Sequence, residues 1–465
     1  MENILDCVNR IHFVGIGGAA MCPMAEILLH KGYSVSGSDQ NESDTLDRVK
    51  TWGIPVYMGH RAENIGDDVQ ALVYTSACKA DNPELAEAKR RGIPTLERCV
   101  MQGMLTDRYP QLVGISGTHG KTTTTSMLTQ IFIEANKDPS AIIGGKLPLI
   151  GSNSRVGNSD TIICEADEYV ETFLHLHPAV SVILNIDADH LEYYKTFENV
   201  VRAFRQYAAQ TSQLLVVNGD CPEAAEIAQE QSGKRVARFG LDDSSNYYPA
   251  ELREEPGACE DFTLMYKSSE SEPAQALGQV KLKVPGRHNM LNALAAAATA
   301  HAMGIDADSI CASLGRFTGV HRRFEVLGQF DGVTVADDFA HHPTELTAVL
   351  SSAMRMGYRQ VWAVFQPHTY SRTYTLLDDF AKALSIPDHL VMTEILAVRE
   401  ENTYGIYTSD LAAKIPGSCW FDSFEKIAEH VMSKAQSGDL ILTLGGGDIY
   451  KCANLIVDKY QARTK

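Results

Sequence analysis

The chain has 465 residues, 44% of them hydrophobic, and a formal net charge of -18. A single hydrophobic core rarely serves a chain of this length, so we expect two or three domains. The acidic balance, without a long run of lysine or arginine, argues against nucleic acid as a partner. The 10 cysteines are scattered without a C-x-x-C pair, and the first residues lack the basic start and apolar run of a signal peptide. We therefore expect a reduced, cytoplasmic protein without membrane insertion.

The first hundred residues alternate strand and helix patterns. A predicted strand at residues 11–15 runs into a glycine turn, and the helix that follows carries Met24 and Ile27 on one face. Further strands are predicted near Val35 and at residues 71–74. Strands that alternate with helices indicate a parallel, doubly wound sheet.

Two further segments repeat this layout. The second has predicted strands at residues 111–116, 161–164 and 180–185, and the third has them at residues 333–336, 361–365, 389–392 and 439–444. Residues 246–279 are polar and rich in Glu, Ser and Pro, and their pattern places no strand. The sequence thus predicts an α/β fold class with several sheets.

The most specific motif is GISGTHGKTTTT at residues 114–125, between a predicted buried strand and an amphipathic helix. In a loop of this kind, backbone N–H groups and the helix N-terminus converge on phosphate oxygens. Lys121 would reach the β- and γ-phosphates, and the Thr122 hydroxyl would bind Mg²⁺. The first glycine of the strict pattern falls on Ile115, so Gly117 makes the turn instead. The structural alternative, a glycine turn before a threonine-rich helix, leaves the Lys-Thr pair unexplained.

Two polar residues follow neighbouring predicted strands and are candidates for the same metal ion. Glu165 comes directly after one strand, and His190 follows the next. Ligands of open α/β sheets bind beyond the carboxyl ends of the strands, where the phosphate loop also lies. A carboxylate suits Mg²⁺ readily, whereas histidine is a less usual ligand. Taken alone, a residue of either kind is more often structural. Because both residues share a sheet edge with the phosphate loop, a metal site is favoured.

A second glycine loop, GIGGAAM at residues 15–21, follows the first predicted strand. Gly15, Gly17 and Ala20 fill the positions of a dinucleotide fingerprint, and Asp39 would hold a ribose. The pattern indicates a diphosphate over a helix N-terminus, which a UDP-sugar satisfies as well as NAD does. A close-packed turn without a ligand is the remaining alternative.

Taken together, the motifs resemble those of the Mur ligase family across nearly the whole chain. The strings that carry the resemblance are IHFVGIGGAAM, SGSD, YTSA, GTHGKTTTT, EADE, NIDADHLEYY, PGRHNMLNALAA, HRRFEVLG, DDFAHHPTEL and FQPHTYSRT. The resemblance implies three domains: a Rossmann-like UDP-sugar domain at residues 1–108, a central ATP-binding domain at 109–319, and a Rossmann-like amino-acid domain at 320–465.

The resemblance also implies a role for each matched residue. Lys121, Glu165, His190 and Arg323 would be catalytic, and Thr122, Glu165 and His190 would surround Mg²⁺. ATP would be bound by Gly117, Thr118, His119, Gly120, Lys121, Thr122, Thr123, Asn289, Asn292, Arg323 and Asp338. The UDP-sugar would be bound by Gly15, Gly17, Gly18, Asp39 and Ser76.

The amino-acid side of the site rests on fewer residues. The resemblance places His341 and Arg372 where the amino acid is expected. Thr369 stands where some family members carry a further arginine, and Phe339 replaces a frequent tyrosine, which leaves open how the carboxylate is held. An exposed arginine is usually a solvated surface group, and His341-His342-Pro343 also fits a helix N-terminus. Both interpretations remain open for these residues.

The activity that the resemblance implies is ATP-dependent amide formation. The implied substrates are ATP, UDP-N-acetylmuramate and L-alanine, with Mg²⁺ as cofactor, an acyl-phosphate intermediate, and a monomer or homodimer as the assembly. A family member that attaches a murein tripeptide to the same UDP-sugar is the nearest rival. From other classes, a nicotinamide-dependent oxidoreductase and a nucleotide-gated binding protein without ligase activity remain alternatives.

Overall fold

The computed structural model describes residues 3–75, 77–231, 233–255, 257–269, 271–398 and 400–463. Within these residues the strands form three sheets of five, ten and six strands. No helix of the described part is long and apolar enough to cross a membrane. The predicted α/β fold class is confirmed.

The first sheet is parallel and has the strand order β3-β2-β1-β4-β5. Its strands are β1 (Arg10–Val14), β2 (Ser34–Asp39), β3 (Val56–Met58), β4 (Ala71–Tyr74) and β5 (Thr95–Glu97), with helices α1 (Met21–His30), α2 (Asp44–Thr51), α3 (Pro83–Arg90) and α4 (Arg98–Thr106). Met24 and Ile27 of α1 are fully buried, as their spacing predicts. The apolar face of α1 therefore fixes the glycine loop that precedes it.

The second sheet has the order β15-β14-β13-β12-β11-β10-β6-β9-β7-β8. Its strands are β6 (Gln111–Ser116), β7 (Ser140–Leu147), β8 (Ser152–Arg155), β9 (Thr161–Glu165), β10 (Val180–Ile183), β11 (Leu214–Asn218), β12 (Arg235–Phe239), β13 (Tyr247–Glu255), β14 (Cys259–Tyr266) and β15 (Gln275–Pro285). The accompanying helices are α5 (Lys121–Glu134), α6 (Leu191–Tyr194), α7 (Phe197–Gln210), α8 (Pro222–Glu230), α9 (Arg287–Ala302) and α10 (Ala307–Arg316). Strand β6 pairs in parallel with β9 and with β10, so the carboxyl ends of these three strands share one edge.

The third sheet has the order β16-β17-β21-β18-β19-β20, and only its β16–β17 pair is antiparallel among the described pairings. Its strands are β16 (Glu325–Phe330), β17 (Val333–Asp338), β18 (Val361–Phe365), β19 (His389–Thr393), β20 (Cys419–Phe421) and β21 (Leu440–Leu444). Its helices are α11 (Pro343–Arg355), α12 (Tyr370–Thr375), α13 (Leu377–Ala383), α14 (Thr408–Ala413), α15 (Phe424–Lys434) and α16 (Tyr450–Arg463). Each predicted strand of this segment is present.

The chain divides into two compact units. One unit comprises Met1–Pro249, Leu264–Gly278 and Asn292–Ser313, and the other comprises Ala250–Thr263, Gln279–Leu291 and Leu314–Lys465. The chain passes between them within β13, β14, β15, α9 and α10. The predicted boundaries after residues 108 and 319 stay predictions.

Candidate functional site

The phosphate loop leaves β6 and enters α5 through two glycines in the left-handed region. Gly117 has a φ of 138° and Gly120 a φ of 88°, conformations that residues with a Cβ rarely adopt. Gly120 is the N-cap of α5 and has no side chain that could cap the helix. The first N–H groups of α5 can therefore serve an anion. A Cβ at Gly120 would collide with Oδ1 of Asn292, which places that predicted residue beside the loop.

The residues after β10 clamp the loop from the side. The Oδ1 of Asn185 accepts a hydrogen bond from the His119 N–H (2.8 Å), and its Nδ2 donates to the His119 carbonyl (3.0 Å). The backbone N–H of Asp187 donates to the Thr118 hydroxyl (2.9 Å). Sequence reasoning assigned neither Asn185 nor Asp187 a role. The available signal was the string NIDAD, which follows a strand at the same sheet edge as the loop.

Lys121 is held at the head of α5 by three acceptors. Its Nζ donates to the carbonyls of Gly117 (2.7 Å) and Thr118 (3.3 Å) and to Oε2 of Glu168 (2.7 Å). Burial disfavours the charged form of Lys121, but the nearby carboxylates of Glu168 and Asp167 outweigh it, and the net effect raises the pKa of Lys121. Lys121 therefore keeps its positive charge at neutral pH.

The predicted metal ligands lie at the shared edge of β6, β9 and β10. Thr122 is buried in the first turn of α5, Glu165 is the last residue of β9, and His190 precedes α6 in a left-handed conformation with a φ of 56°. Glu165 accepts a hydrogen bond from the Gly144 N–H, and a Cβ at Gly144 would lie 2.6 Å from its Oε2. The glycine thus leaves room for the carboxylate, and a hydroxyl with a carboxylate suits Mg²⁺.

His190 lies among polar and aromatic neighbours. Its Nδ1 is 3.4 Å from Oε1 of Glu192, and its ring centroid is 4.7 Å from that of Tyr169. A left-handed conformation at a residue other than glycine is uncommon and concentrates at functional sites. Other residues, such as Lys195 and Val398, share this geometry, so the predicted role of His190 at the metal stays a prediction. Imidazole is a less usual ligand for Mg²⁺ than a carboxylate.

The first glycine loop is shaped by the end of β2. The Ser38 carbonyl accepts hydrogen bonds from the N–H groups of Gly15 (2.8 Å) and Ile16 (3.0 Å), and Oδ2 of Asp39 accepts one from Gly17 (2.9 Å). The structure therefore brings Gly15, Gly17 and Asp39 together, with Gly18 in the same turn. The fifth predicted residue, Ser76, lies outside the described residues.

A buried polar network lies beneath this loop, and sequence reasoning did not find it. Glu84 is fully buried and accepts hydrogen bonds from Ser38 Oγ (2.6 Å) and from the Asn64 amide. His60 Nδ1 lies 3.3 Å from Glu84 Oε2, and His12 Nε2 lies 3.9 Å from it. Burial favours the neutral form of Glu84, but the nearby His12 and the hydrogen bonds from Ser38 and Asn64 outweigh it and lower the pKa of this carboxyl. The network ties Ser38, and through it the loop, to α3.

In the other unit, Asp338 ends β17 with both carboxylate oxygens engaged by the backbone. Its Oδ2 accepts from Phe324 N–H and its Oδ1 from Ala340 N–H, each at 2.7 Å. Burial raises the pKa of Asp338 to about 6, against the opposing charge of Arg323. The Arg323 guanidinium lies 5.2 Å from the Phe339 ring. Asp338 thus fixes the chain next to Arg323, and its predicted role at the ATP ribose stays a prediction.

Two other residues of this unit have backbone partners. Asn289 lies in α9 and donates through Nδ2 to the Pro285 carbonyl (2.7 Å). Arg322, the neighbour of the predicted Arg323, instead pairs with Asp337 (2.7 Å) and donates to the carbonyls of Gly445 and Gly447. Arg322 therefore has a structural role, whereas the predicted role of Arg323 is catalytic. The string HRRF alone does not show which of the two arginines has which role.

His341 and Arg372 are linked through His368. The His341 and His368 ring centroids are 5.5 Å apart, and Arg372 Nη1 lies 3.3 Å from His368 Nδ1. The next residue, His342, caps α11 in a capping box, which confirms the predicted helix N-terminus at this point. His341 lies one residue before this cap, and its backbone N–H donates to Oε2 of Glu345 (3.1 Å), the N3 residue of the same capping box.

Thr369 lies at the start of α12 in a strained conformation. Its φ is 67°, and its hydroxyl accepts a hydrogen bond from Arg372 N–H (3.4 Å). A β-branched residue in the left-handed region is an outlier that concentrates at functional sites. Thr369 therefore shapes the turn from which Arg372 projects.

Comparison with known proteins identifies the family. A model of the Mur ligase family catalytic domain matches residues 10–110, the Mur ligase middle domain matches residues 115–300, and the Mur ligase glutamate ligase domain matches residues 322–447. The chain belongs to the Mur ligase family. The UDP-N-acetylmuramate–L-alanine ligases of Agathobacter rectalis and Acetivibrio thermocellus are each 41% identical to it over 97% of this chain, and the matches cover 98% and 96% of their own lengths.

Solved structures agree with this assignment. The UDP-N-acetylmuramate-alanine ligase of Thermotoga maritima superimposes with a TM-score of 0.82 at 28% identity, over 98% of this chain and 99% of that one. A murein peptide ligase from Psychrobacter arcticus has a TM-score of 0.75 at 22% identity, over 97% of this chain and 99% of its own. The second similarity shows the shared fold alone.

Proposed function

We propose that this chain joins L-alanine to the carboxylate of UDP-N-acetylmuramate with consumption of ATP, a step of peptidoglycan precursor synthesis. The observation that carries the ATP-dependent chemistry is Lys121 at the head of α5, in a glycine loop that shares its sheet edge with Glu165 and His190. The choice of acceptor is supported by the 41% identity to ligases of that name over nearly the whole chain.

Amide formation from a free carboxylate and an amine is unfavourable in water, so the carboxylate must first be activated. The lactyl carboxylate attacks the γ-phosphorus of ATP, the bond to the ADP oxygen breaks, and an acyl phosphate forms. The amine of L-alanine attacks the acyl carbon, the amine loses a proton, and inorganic phosphate leaves from the tetrahedral intermediate. Negative charge concentrates on the transferred phosphoryl group, so positive groups aimed at it should dominate catalysis.

The chain supplies such groups from its own residues. Lys121 binds the phosphates of ATP. Arg323 supplies a positive charge that, as the resemblance implies, reaches toward the transferred phosphoryl group. Thr122, Glu165 and His190 hold Mg²⁺, which neutralises phosphate charge when bound. No covalent protein nucleophile is needed, because the acyl phosphate itself is the activated species.

The other substrates are assigned to other parts of the chain. The diphosphate of UDP-N-acetylmuramate binds at the glycine loop of β1, and L-alanine binds near His341 and Arg372. We assign residues 1–108, 109–319 and 320–465 to the UDP-sugar, ATP and amino-acid domains. Because the substrates are nucleotides, we propose that the reaction takes place in the cytoplasm, and we propose a monomer or homodimer.

A coupled ADP-release assay in which each substrate is omitted in turn tests this function. We expect ADP release to require UDP-N-acetylmuramate and L-alanine together, and to fall to background when either is missing. A screen of L-alanine, glycine, L-serine and the murein tripeptide as acceptors then separates the two family activities. ADP release that ignores the amino acid, or that the tripeptide supports better than L-alanine, contradicts the proposal.

A further inference from the structure

All three donors of the Lys121 ammonium group have acceptors within the protein. A lysine ammonium carries three N–H donors, and here they face the carbonyls of Gly117 and Thr118 and the carboxylate of Glu168. A nucleotide phosphate that binds Lys121 must therefore displace at least one of these acceptors. The three acceptors differ in charge and in burial, and these differences decide which of them competes most strongly with a phosphate for Lys121.

Glu168 is the strongest of the three competitors. It is the only charged one, and hydrogen bonds between ionised groups are roughly twice as strong as those between neutral groups. The side chains of Lys121 and Glu168 are 16% and 3% exposed, so little water screens their attraction. A phosphate must outcompete this carboxylate for the same cation.

The position of Glu168 is set by its own segment of the chain. Its backbone carbonyl accepts a hydrogen bond from the hydroxyl of Tyr194. The turn that follows holds Val170 and Glu171 in the left-handed region, with φ values of 53° and 57°. Such a turn persists only where surrounding contacts determine it. The backbone of Glu168 is thus held by a contact that does not involve Lys121.

The second oxygen of Glu168 increases the cost of separating the pair. Within the described part of the chain, Oε1 is buried and has no hydrogen-bond partner. When Lys121 turns to a phosphate, the buried carboxylate loses its principal cation, and an uncompensated buried charge is strongly unfavourable. This cost subtracts from the free energy of nucleotide binding.

We propose that Glu168 is a positioning residue that competes with the nucleotide phosphates for Lys121 and thereby weakens the binding of ATP and ADP at the loop. The competition favours release of ADP after the phosphoryl group has been transferred. This inference rests on the proposed ATP site, because it concerns the same lysine. Because Glu168 competes only with the phosphates that reach Lys121, we expect no change in the contribution of the adenosine part to nucleotide affinity.

The test is a comparison of nucleotide affinities in the full chain. Dissociation constants of ADP, a non-hydrolysable ATP analogue and AMP are measured by calorimetry for the wild type, Glu168→Gln and Glu171→Gln. Glu168→Gln keeps the size of the side chain and removes the competing charge. Glu171→Gln is the matched control, because it makes the same change of charge three residues away in the same turn.

We expect Glu168→Gln to bind ADP and the ATP analogue about tenfold more tightly, within the range set by one charge-assisted hydrogen bond. AMP, which lacks the β- and γ-phosphates, should bind as it does to the wild type, and Glu171→Gln should bind all three unchanged. The KM for ATP should fall in Glu168→Gln more than kcat changes. A merely structural role of Glu168 would alter AMP binding as well.

Affinity for ADP that is unchanged within about twofold, or weaker, in folded Glu168→Gln overturns the inference. So does an equal change for AMP. If the glutamine variant does not fold, Glu168→Asp, whose shorter side chain draws the carboxylate away from Lys121, should show a smaller tightening, and its absence overturns the inference equally. If the wild type binds no nucleotide, the proposed function fails. If the wild type binds nucleotides and the Glu168 variants bind them with the same affinities, only the proposed role of Glu168 fails.

Discussion

The two glycine loops of the chain have the same connectivity and differ in what their side chains contribute. Each loop leaves a central parallel strand and enters a buried helix. The loop after β1 is shaped by backbone bonds to Ser38 and by one carboxylate, Asp39. The loop after β6 carries Lys121, which is opposed by the buried Glu168. The first loop offers mainly backbone N–H groups, and the second adds a positive charge.

This difference explains why one loop identifies a chemistry and the other does not. Backbone N–H groups over a helix N-terminus bind a diphosphate without regard to what is attached to it. A lysine and a threonine at the helix start add contacts to the β- and γ-phosphates and to Mg²⁺, as the binding of a nucleoside triphosphate requires. The two loops should therefore respond independently to substitution, and substitutions of Lys121 and Asp39 test that independence.

The largest effect is expected for Lys121→Ala. Loss of the charge that faces the transferred phosphoryl group should lower kcat by on the order of 10³-fold. The affinity for UDP-N-acetylmuramate, measured by calorimetry, should stay within about twofold of the wild type, because we assign that ligand to the other loop. A folded variant with wild-type kcat would remove Lys121 from the mechanism.

Substitution of Glu165 should come next. Glu165→Gln should lower kcat by about 10²-fold, a loss typical of one group that stabilises transition-state charge, and raise the Mg²⁺ concentration needed for half-maximal activity. Gly144→Ala should act in the same direction, because its Cβ would lie 2.6 Å from Glu165 Oε2. A steady-state magnesium titration checks both variants. An unchanged magnesium requirement in Glu165→Gln would show that this carboxylate does not hold the metal.

A smaller effect is expected in the first loop. Asp39→Ala removes the acceptor of the Gly17 N–H, so the loop loses its shape and the KM for UDP-N-acetylmuramate should rise about tenfold. The KM for ATP should not change. Asp47→Ala, on the exposed side of α2, is the control and should leave both values unchanged. A rise in the KM for ATP alone would reverse the assignment of the two loops.

The smallest effect concerns the support beneath the first loop. The folded protein lowers the pKa of Glu84 below its ordinary value of 4.5, so on acidification the unfolded state takes up this proton first. The stability that Glu84 contributes is therefore present above pH 4.5 and is lost as the pH falls further. Melting temperatures from pH 6 to pH 3.5 should fall less steeply in Glu84→Gln than in the wild type. Parallel curves for the two proteins would contradict this account.

The sequence predicted those parts of the fold whose signal is local. Helix α5 and strands β4 and β18 follow from apolar periodicity and glycine turns, and they are present where predicted. Strand β13 was not predicted, because most of it is exposed on both faces and shows no apolar alternation. A strand of that kind is defined by its hydrogen-bonded neighbours, which the local sequence does not reveal.

The same distinction applies to the site. Residues within one motif, such as Lys121 and Thr122, could be predicted because their spacing alone carries the chemistry. The clamp of Asn185 on His119 and the pairing of Glu168 with Lys121 join residues more than 40 positions apart. Only the parallel pairing of β6 with β9 and β10 brings these residues together. That pairing is a property of the fold and not of any one motif.

The most direct measurement is detection of the amide itself. The purified chain is incubated with ATP, Mg²⁺, UDP-N-acetylmuramate and isotopically labelled L-alanine, and the products are resolved by mass spectrometry. We expect UDP-N-acetylmuramoyl-L-alanine in equal amount to ADP, with the label in an amide bond. ADP without the amide, or no conversion by a chain that binds both nucleotides, would contradict it.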